Sequence, residues 1–432
     1  MKRLMVIIIA GVLITANGMA ATHYVVTNGT PGHIGPVDPY TNWATAGTNI
    51  IAVVNAALTN TAPRTVWVSN GTYYLTDQVT ISAALTLQSV NGREVTIVDG
   101  YNYAGKPVTN RCFDLTGSGA VLDGVTISNG YVIGHGGGVY CAAGNYVKNC
   151  RITDCVATNV GVVANGGGAY VDGVMSNCEV IRNINFNDYG GGIYANGLVV
   201  NCVVASNTVY KNVEQAYGAG IMVNNNGVIS NCMIYGNDTT ATSFGSGGGI
   251  KMGWGATVYN SLVYNNYAQV GGGISMFADG SIQNCTVVSN QTGAAGTYTG
   301  GIYLWNVDAT HTQYIKNVIC YFNNTAAGKS NIYMESVGTY HIVNSCIAPT
   351  NDFPTNGIAG YYANNIESNP QFANKDSNDF HLAKGSPCIN SGTNENWMTL
   401  DLDGHSRIDR FSGIVDMGCY EYLPQGFMFA AP

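Results

Sequence analysis

Charged residues are scarce in this sequence. Asp, Glu, Lys and Arg together make up 10% of its 432 residues, against roughly a quarter in an average globular protein. The net charge of −8 leaves no basic stripe that could contact phosphates, so nucleic acid is a poor candidate partner. The shortage of lysine and arginine argues equally against electrostatic binding to a membrane surface.

Long apolar runs are absent after the first twenty residues. Residues 1–20 start with Lys2 and Arg3, continue with about a dozen mostly apolar residues and end with the small residues Gly18 and Ala20. This run is shorter than the ~20 residues that span a bilayer, and its layout is typical of a secretory signal peptide. We therefore expect a secreted protein, extracellular or at the cell surface, without a membrane span once the signal is removed.

Helical periodicity is also nearly absent, whereas glycine and tyrosine are abundant, with 56 and 28 residues. The glycines recur in a phrase whose clearest copy is GGGIYANGLVVNC, residues 190–202. Its copies are spaced 24 to 30 residues apart, and their first glycines are Gly136, Gly166, Gly190, Gly218, Gly247 and Gly271. A fixed period of this length predicts a solenoid, a propeller or an array.

Each copy contains three short segments in which apolar and polar residues alternate, which predicts strands. In the clearest copy the apolar positions are Ile193 and Ala195 after the glycines, Val199 before the Asn-Cys pair, and Cys202 and Val204 after it. Three inward-facing strands per 24 to 30 residues predict an all-β fold, a right-handed parallel β-helix. Its rungs would stack about 4.8 Å apart.

One asparagine recurs at a fixed place in every copy, just before the third strand. At a tight turn, asparagine tolerates left-handed backbone and can hydrogen-bond to the asparagine of the next rung. We therefore expect a structural ladder formed by Asn149, Asn177, Asn201, Asn231, Asn260 and Asn284. The glycines are expected where a loop of variable length re-enters the wall of the coil, at a bend without room for a side chain.

The two ends of the chain depart from the repeat. Residues 21–63 form an entry segment in which Ile50, Val53, Val54 and Leu58 have helical spacing, and we expect this helix to cap the first rung. Residues 64–349 hold the rungs. Residues 350–423 are expected to form irregular final rungs and a cap, followed by a tail at residues 424–432.

Two sets of motifs resemble known families. The rung phrase, GGGIY followed by NCVVASN, is similar to the pectin-lyase-like β-helix superfamily and to repeats of polymorphic outer-membrane proteins. The segments GSPCINSGT, DLDGHSRID and DMGCYEY resemble the choice-of-anchor Q domain, which implies display at a cell surface. The superfamily holds lyases, hydrolases, epimerases, adhesins and scaffolds, so the resemblance implies fold and export rather than one activity.

Outward positions beside the variable loops form an aromatic row. Aromatic faces with amide neighbours suit sugar rings, which have apolar faces and hydroxyl edges. We therefore expect a polysaccharide or another surface glycan to bind Tyr140, Tyr170, Tyr194, Tyr303, Trp305, Asp172, Asn196 and Asn224. Tyrosines that merely favour exposed strands and stack on their neighbours would produce the same row.

Catalysis is the alternative to binding. A polysaccharide lyase needs a base and a group that neutralises the uronate carboxylate. Lys251 interrupts the tyrosine row and is the candidate base, whereas Asp172 lies three rungs away. The loop residues that would complete such a site are Lys211, Glu214 and Asp238. His135 stands in the sequence GHGGG without the paired aspartates of a hydrolase.

These residues favour binding over catalysis. A purely structural surface protein, or an adhesin without glycan specificity, remains a third hypothesis. Charged residues at matching positions of adjacent rungs, Arg151 with Glu179 and Asp154 with Arg182, are expected to form surface ion pairs of small energy.

Cysteines and acidic motifs are expected to be structural. Five cysteines fill one inward slot that Ser261 and Val318 fill in other rungs, so the slot selects small volume and not a thiol. Cys388 and Cys419, near the C-terminus, are the candidate disulfide pair.

The sequence predicts no metal site. DLDG, residues 401–404, begins like a calcium loop but lacks the later ligands, and a structural pairing of Arg407 with Asp416 is expected there. We therefore expect no cofactor, with Ca²⁺ as a weak alternative.

Overall fold

The computed structural model describes most of the chain from residue 21 onward. The described residues are 21–101, 110–159, 163–186, 188–210, 215–239, 244–293, 298–306, 308, 310–325, 331–335, 338–349, 359–395, 397, 399–410 and 412–424. The predicted signal peptide lies outside them, as do Lys211 and Glu214. In the described part, no helix is long and apolar enough to span a membrane.

Four parallel sheets run along the length of the chain. As far as the structure describes them, sheets A, B, C and D have 13, 11, 10 and 7 strands. Sheet A contains Ala21–Val25, Arg64–Val68, Thr86–Ser89, Val121–Asp123, Tyr146–Lys148, Val174–Ser176, Leu198–Val200, Val228–Ser230, Ala256–Tyr259, Gly280–Gln283, Thr312–Lys316, Thr339–Val343 and Ala359–Ala363. Sheet B contains Gly71–Tyr74, Thr96–Asp99, Thr126–Ser128, Arg151–Thr153, Glu179–Ile181, Val203–Ala205, Met233–Tyr235, Leu262–Tyr264, Thr286–Val288, Ile319–Tyr321 and Cys346–Ile347.

The two remaining sheets complete each rung. Sheet C contains Val79–Ile81, Phe113–Leu115, Val139–Cys141, Ala169–Val171, Ile193–Ala195, Ile221–Val223, Ile250–Met252, Ile274–Phe277, Ile302–Trp305 and Ile332–Met334. Sheet D contains Tyr131–Ile133, Val156–Thr158, Ile184–Phe186, Thr208–Tyr210, Asp238–Thr239, Tyr267–Ala268 and Gln291–Thr292. A rung passes through sheets C, A, B and D in that order, so the predicted right-handed parallel β-helix is confirmed.

Sheet D adds a fourth strand that the alternation pattern does not predict. Its strands are two or three residues long. They follow directly after the third predicted strand of the rung. The variable loops therefore lie between sheet D and sheet C, at the corner where the glycine blocks begin.

The inward positions form one continuous core. In the clearest rung, Ile193, Ala195, Val199 and Val204 are all fully buried, and Cys202 is 1% exposed. The same cluster extends along the coil from Val25 to Ile347. Alternation alone therefore predicts which side chains fill the interior, because a strand turns successive residues to opposite faces.

The first glycines of the blocks have a backbone that other residues rarely adopt. Gly190 has φ +75°, and a Cβ on the next residue, Gly191, would lie 2.4 Å from the carbonyl oxygen of Ala219 in the next rung. Such an approach leaves no room for a side chain. The backbone therefore bends just before the strands of sheet C, at a place with no room for a side chain, as the sequence analysis expected.

The predicted asparagine row lies at the turn between sheets A and B. All its members have left-handed backbone, with φ between 51° and 55° for Asn149, Asn177, Asn201, Asn231, Asn260 and Asn284. Side-chain bonds join only some neighbours, from Asn177 to Asn149 at 3.4 Å and from Asn260 to Asn231 at 2.6 Å. Asn149, Asn177 and Asn201 are exposed, so this row is not a continuous buried ladder.

A second asparagine row, six residues further along each copy, forms the continuous ladder. Each side-chain nitrogen donates to the side-chain oxygen of the next rung at 2.9 to 3.0 Å, in the order Asn183, Asn207, Asn237, Asn266, Asn290 and Asn323. All six are at most 5% exposed. The continuous ladder is therefore formed by the asparagines at the turn between sheets B and D. It is not formed by the asparagines before the cysteines, as the sequence analysis expected.

The N-terminal helix is confirmed at Ile50–Leu58. Asn49 caps it, because its side-chain oxygen accepts a hydrogen bond from the backbone nitrogen of Ala52 at 3.1 Å. Its buried side chains pack against the first strands of sheets A and C. A short 3₁₀ helix, Trp43–Thr45, precedes it.

The chain after Ala363 leaves the coil instead of adding further rungs. Ala359–Ala363 is the last strand of sheet A. The C-terminal segment, residues 364–424, then packs on the outer face of sheet B, where Phe380 and Tyr420 contact Leu262 and Val288. It contains the antiparallel pair Phe372–Asn374 and Asp379–Leu382 and a 3₁₀ helix, Lys375–Ser377. The expected irregular cap thus covers a side of the coil.

Candidate binding face on sheet C

The predicted tyrosine row lies on the outer face of sheet C in perfect register. Tyr140, Tyr170 and Tyr194 pair in successive strands. Their ring centroids are 5.0 and 5.2 Å apart, and the rings are within 8° of parallel. The rings therefore stack face to face on one another, and what they present outward is their edges and hydroxyl groups.

Amide side chains bind these hydroxyl groups. Asn196 donates to the Tyr170 hydroxyl at 3.2 Å and to Asp172 at 2.8 Å. Asn224 donates to the Tyr194 hydroxyl at 3.4 Å. Burial, with Asp172 as the next cause, raises the pKa of Tyr170 to about 12, so its hydroxyl stays protonated and can donate. The predicted neighbours Asp172, Asn196 and Asn224 thus lie beside the tyrosines. The ring faces that were expected to contact sugars are instead occupied by ring stacking.

One end of the row is closed by Arg111 and His135. The Arg111 guanidinium lies 5.3 Å from the Tyr140 ring centroid and 3.3 Å from Asp114. The His135 ring lies 5.0 Å from Tyr170, and its Nδ1 accepts a hydrogen bond from the backbone nitrogen of Asn165. Burial lowers the pKa of His135, so it is a neutral acceptor that fixes the loop.

Lys251 lies in the middle of the row and is almost completely enclosed. Its side chain is 3% exposed. The Nζ atom donates to Ser275 at 3.0 Å and to Ser246 at 3.4 Å, and it lies 5.1 Å from the ring centroid of Tyr217 and 5.5 Å from that of Trp305. In the described part of the chain, no carboxylate forms an ion pair with it. Burial lowers its pKa from 10.5 to about 7.

This burial could not be predicted from the repeat. Tyr217 and Ser246 belong to a separate parallel pair, Gln215–Tyr217 with Phe244–Ser246, which precedes the glycine blocks of two rungs. The two strands cover the place where an outward side chain of sheet C would otherwise reach solvent. Lys251 therefore occupies an outward-facing position of sheet C, and yet its side chain is buried.

An exposed aromatic cluster continues the face beyond Lys251. The Phe277 ring lies 5.0 Å from Trp305 and 5.6 Å from Trp254, in both cases edge to face. Trp305 is 37% exposed and Trp254 is 45% exposed. His311 packs against Trp254 at 4.9 Å and binds Asp279 at 3.0 Å. We name Trp254, Phe277, Trp305 and His311 the aromatic cluster.

Trp254 and His311 were missed by the sequence analysis. Trp254 follows a strand of sheet C by two residues, in the short connection GWG, and falls outside the alternating rows. His311 directly precedes a strand of sheet A. A lone tryptophan in a short exposed connection was the signal that could have identified the first of them.

The far end of the row is polar but mostly enclosed. Tyr303 donates to Glu335 at 2.6 Å and stacks on Tyr333 at 5.7 Å. Burial raises its pKa, and Glu335 raises it further. Tyr303 is 6% exposed and Tyr194 is 8% exposed. These two members of the predicted binding set therefore offer little surface, whereas Tyr140, Tyr170 and Trp305 offer more.

The described acidic residues considered as partners of Lys251 lie in other parts of the coil. Asp238 lies in sheet D, half-buried, and burial raises its pKa. Asp172 lies three strands along sheet C from Lys251, roughly 14 Å at the usual strand spacing. Lys211 and Glu214 lie outside the described residues.

Most remaining charged residues form structural pairs. Arg151 binds Glu179 at 2.7 Å, and Arg182 binds Asp154 at 2.9 Å, which confirms the predicted ion pairs. Arg407 differs from expectation, since it pairs with Glu421 at 3.1 Å and meets only the backbone carbonyl of Asp416. Glu421, and not Asp416 as the sequence analysis expected, is therefore the carboxylate that pairs with Arg407.

Asp401 of DLDG acts as a turn acceptor. It accepts backbone hydrogen bonds from Asp403, His405 and Glu421. Among the described residues, no cluster of three or more His, Cys, Asp or Glu has the arrangement of a metal site.

All twelve cysteines are buried and free. Cys388 packs beside Cys346 and Met417, whereas Cys419 packs beside Phe380 and Tyr420 in a different cluster. The candidate disulfide between Cys388 and Cys419 is therefore wrong, because the C-terminal segment carries its two cysteines to separate positions on sheet B.

Comparisons with known proteins support the fold. No family model and no curated protein matches the sequence. Among solved structures, pectate lyase Pel9A matches with a TM-score of 0.52 at 16% identity, covering 93% of this chain and 96% of its own. The mannuronan C-5 epimerase AlgE4 A-module of Azotobacter vinelandii matches with a TM-score of 0.46 at 10% identity, over 73% and 91% of the two chains. A rhamnogalacturonan lyase matches with a TM-score of 0.40 at 14% identity, over 85% and 96%.

The likeness to pectate lyase Pel9A supports the fold class seen in the structure, a right-handed parallel β-helix. Identities this low establish architecture and carry no activity to this chain. The resemblance of the C-terminal motifs to the choice-of-anchor Q domain stays a prediction.

Proposed function

We propose that this protein binds a polysaccharide along the outer face of sheet C. The observation that carries the proposal is the aromatic cluster, in which two indoles stay more than a third exposed beside a row of tyrosine edges. Six strand steps separate Tyr140 from Tyr303, roughly 29 Å at 4.8 Å per step. Trp305, on the same strand as Tyr303, is the open end of this stretch, and Lys251 between the two ends is covered. A ligand that reaches both ends is an extended chain and not a single sugar.

The chemistry of the face supports this ligand class. Exposed indoles can contact the apolar faces of sugar rings, while the tyrosine hydroxyls and the amides of Asn196 and Asn224 can bind hydroxyl groups. The tyrosine end therefore contributes hydrogen bonds and the aromatic cluster contributes apolar contact. We propose together with this function that the protein is exported and that its partner is a polysaccharide.

The test is binding of the mature chain to an array of polysaccharides, followed by titration with the best ligand. We expect Trp254→Ala and Trp305→Ala each to weaken binding by about tenfold, as loss of an exposed aromatic anchor does. Trp43→Ala is the matched control, since Trp43 is 41% exposed but lies in the N-terminal entry segment. The absence of binding to any polysaccharide, or equal affinity of all variants, would contradict the proposal and favour a purely structural role.

A polysaccharide lyase is the second candidate, and the state of Lys251 favours it. A lysine whose pKa is lowered to about 7 is partly neutral at physiological pH and can accept a proton. Its enclosure opposes this function, because substrate could reach Nζ only if Tyr217 and Trp305 moved.

Product formation distinguishes the two candidates. A lyase would release unsaturated uronate products from polygalacturonate or alginate, which ultraviolet absorbance detects. Lys251→Ala would then lose about 10²- to 10⁴-fold in rate with binding retained. For the binding function we expect no product from the wild type.

A further inference from the structure

A cleft opens between the coil and the C-terminal segment, at the turn between sheets A and B. Its volume is about 440 Å³, near the lower end of the range for small-ligand sites. The floor is formed by three rungs in register, each supplying the last residue of a sheet A strand and the asparagine after it. These residues are Ser230, Asn231, Tyr259, Asn260, Gln283 and Asn284.

The C-terminal segment forms the opposite wall with Trp397, Thr399 and Leu400. Trp397 is 42% exposed, and its ring lies 5.0 Å from Tyr259 with an interplanar angle of 63°. The contact uses part of the indole and leaves the rest open. An aromatic surface therefore faces a floor of amides and hydroxyl groups.

The cleft contains a buried acceptor that lacks a donor. Asn260 is 3% exposed, and its side-chain nitrogen donates to Asn231 at 2.6 Å and to the carbonyl of Leu400 at 3.0 Å. Its side-chain oxygen accepts no hydrogen bond from the described residues. An unmatched buried acceptor is costly, and a ligand hydroxyl could satisfy it.

The charge of the lining limits the class of ligand. Among the described residues that line the cleft, none is acidic, and the one cation, Arg407, is 1% exposed. Its guanidinium is already bound to Glu421 at 3.1 Å and to the carbonyl of Gly418 at 2.8 Å. The remaining groups are amides and hydroxyls, which both donate and accept. Such a lining matches a neutral molecule with many hydroxyl groups.

We propose that this cleft binds a short neutral oligosaccharide of one or two rings, packed against Trp397 and hydrogen-bonded to the amides of Asn231, Asn260 and Gln283. The site is separate from the face on sheet C. It does not depend on the function proposed for that face, because it shares no residue with it.

The test is calorimetric titration of the mature chain with cellobiose, maltose, lactose and mannobiose, and with digalacturonate as a charged probe. We expect at least one neutral disaccharide to bind and digalacturonate to bind more weakly. Trp397→Ala should raise the dissociation constant by about tenfold or more, while the melting temperature stays unchanged because the side chain is exposed. Trp43→Ala should bind like the wild type.

Three outcomes would overturn the proposal. These are no binding of any neutral disaccharide, tighter binding of digalacturonate, or unchanged affinity in Trp397→Ala. Trp254→Ala separates this site from the face on sheet C. If that variant loses disaccharide binding and Trp397→Ala does not, the ligand binds the aromatic cluster and the cleft is empty.

Discussion

The side-chain nitrogen of Asn207 lies 3.0 Å from the side-chain oxygen of Asn237, one rung further along the coil. The same nitrogen donates to the carbonyl of Val180, and the oxygen of Asn207 accepts from both the backbone and the side chain of Asn183. Each buried asparagine of this ladder therefore satisfies polar groups in two neighbouring rungs. The backbone of the coil depends on it at a turn that water does not reach.

Asn207→Ala should consequently be far more damaging than Asn201→Ala. The first change strands buried donors on Asn183 and should cost about 3 kcal/mol. The second removes an exposed side chain and costs about 1 kcal/mol, through the left-handed backbone of Asn201. Thermal melting of both variants measures the difference. Equal melting temperatures would show that the two asparagine rows contribute alike.

The sequence predicts that a ladder exists but not which asparagines form it. Both rows recur with the same period, six residues apart, and both occupy turns. Their difference is that the turn after sheet A opens to solvent or to the C-terminal segment, whereas the turn after sheet B is closed by sheet D. The alternation pattern predicts three strands in each rung and does not include sheet D, so this closure is not visible in it.

The inward positions and the register of sheet C were predictable for the opposite reason. Each depends only on local alternation and on a repeat that is copied many times. An ambiguous pattern in one rung can therefore be resolved by comparison with the other rungs. The state of Lys251 depends on Tyr217 and Ser246, which reach it from variable loops. Contacts made by variable loops carry no repeat signal, and neither does the path of the C-terminal segment over sheet B.

The enclosed amine of Lys251 should make stability depend on pH. Its pKa is lowered from 10.5 to about 7, so between these values the unfolded chain binds more protons than the folded one, and stability rises with pH. Lys251→Met removes the buried charge. At pH 6 the variant should be more stable than the wild type by on the order of a few kcal/mol, at about 1.4 kcal/mol per unit of pKa. The advantage should shrink as the pH rises toward 10.

Chemical denaturation of both proteins from pH 6 to 10 measures this difference. Lys148→Met is the matched control, because Lys148 is 43% exposed and binds Asp123 at 3.2 Å, so its effect should not vary over this range. A constant difference between Lys251→Met and the wild type would show that the lysine is not desolvated.

The inward cysteine slot should tolerate serine but not a larger residue. Cys232 donates to the carbonyl of Ser230, and Ser261 in the next rung donates to the carbonyl of Tyr259 in the same way. Cys232→Ser should therefore change stability by less than about 1 kcal/mol, whereas Cys232→Leu should cost about 1 to 3 kcal/mol by overpacking. Melting temperatures test the pair. A large loss in the serine variant would indicate a specific need for the thiol.

The same reasoning predicts how the thiols react. All twelve cysteines are buried and free, and burial raises the pKa of thiols such as those of Cys150 and Cys178. The folded protein should resist alkylation, and the unfolded, unreduced protein should expose all twelve thiols. Titration of ten or fewer would demonstrate a disulfide, and peptide mapping that places it between Cys388 and Cys419 would contradict their separation.

The last prediction concerns the attachment of the C-terminal segment to the coil. Arg407 and Glu421 form an ion pair at 3.1 Å, with side chains only 1% and 5% exposed. Burial raises the pKa of Glu421 to about 8, so the test belongs at pH 9, where removing one partner leaves the other charge buried and unpaired, which typically costs 3 to 5 kcal/mol. Arg407→Met and Glu421→Met should each loosen the segment, whereas the double variant should recover much of the loss because no uncompensated charge remains.

Loosening would uncover the apolar outer face of sheet B at Leu262 and Val288. Binding of a hydrophobic dye and proteolysis within residues 364–424 should therefore increase in both single variants and fall back in the double variant. Arg182→Met is the control, since Arg182 pairs with Asp154 but is 56% exposed and such surface pairs contribute at most about 1 kcal/mol. If the losses of the two single variants simply add in the double variant, Arg407 and Glu421 stabilise the segment independently and the ion pair is not what holds it to the coil.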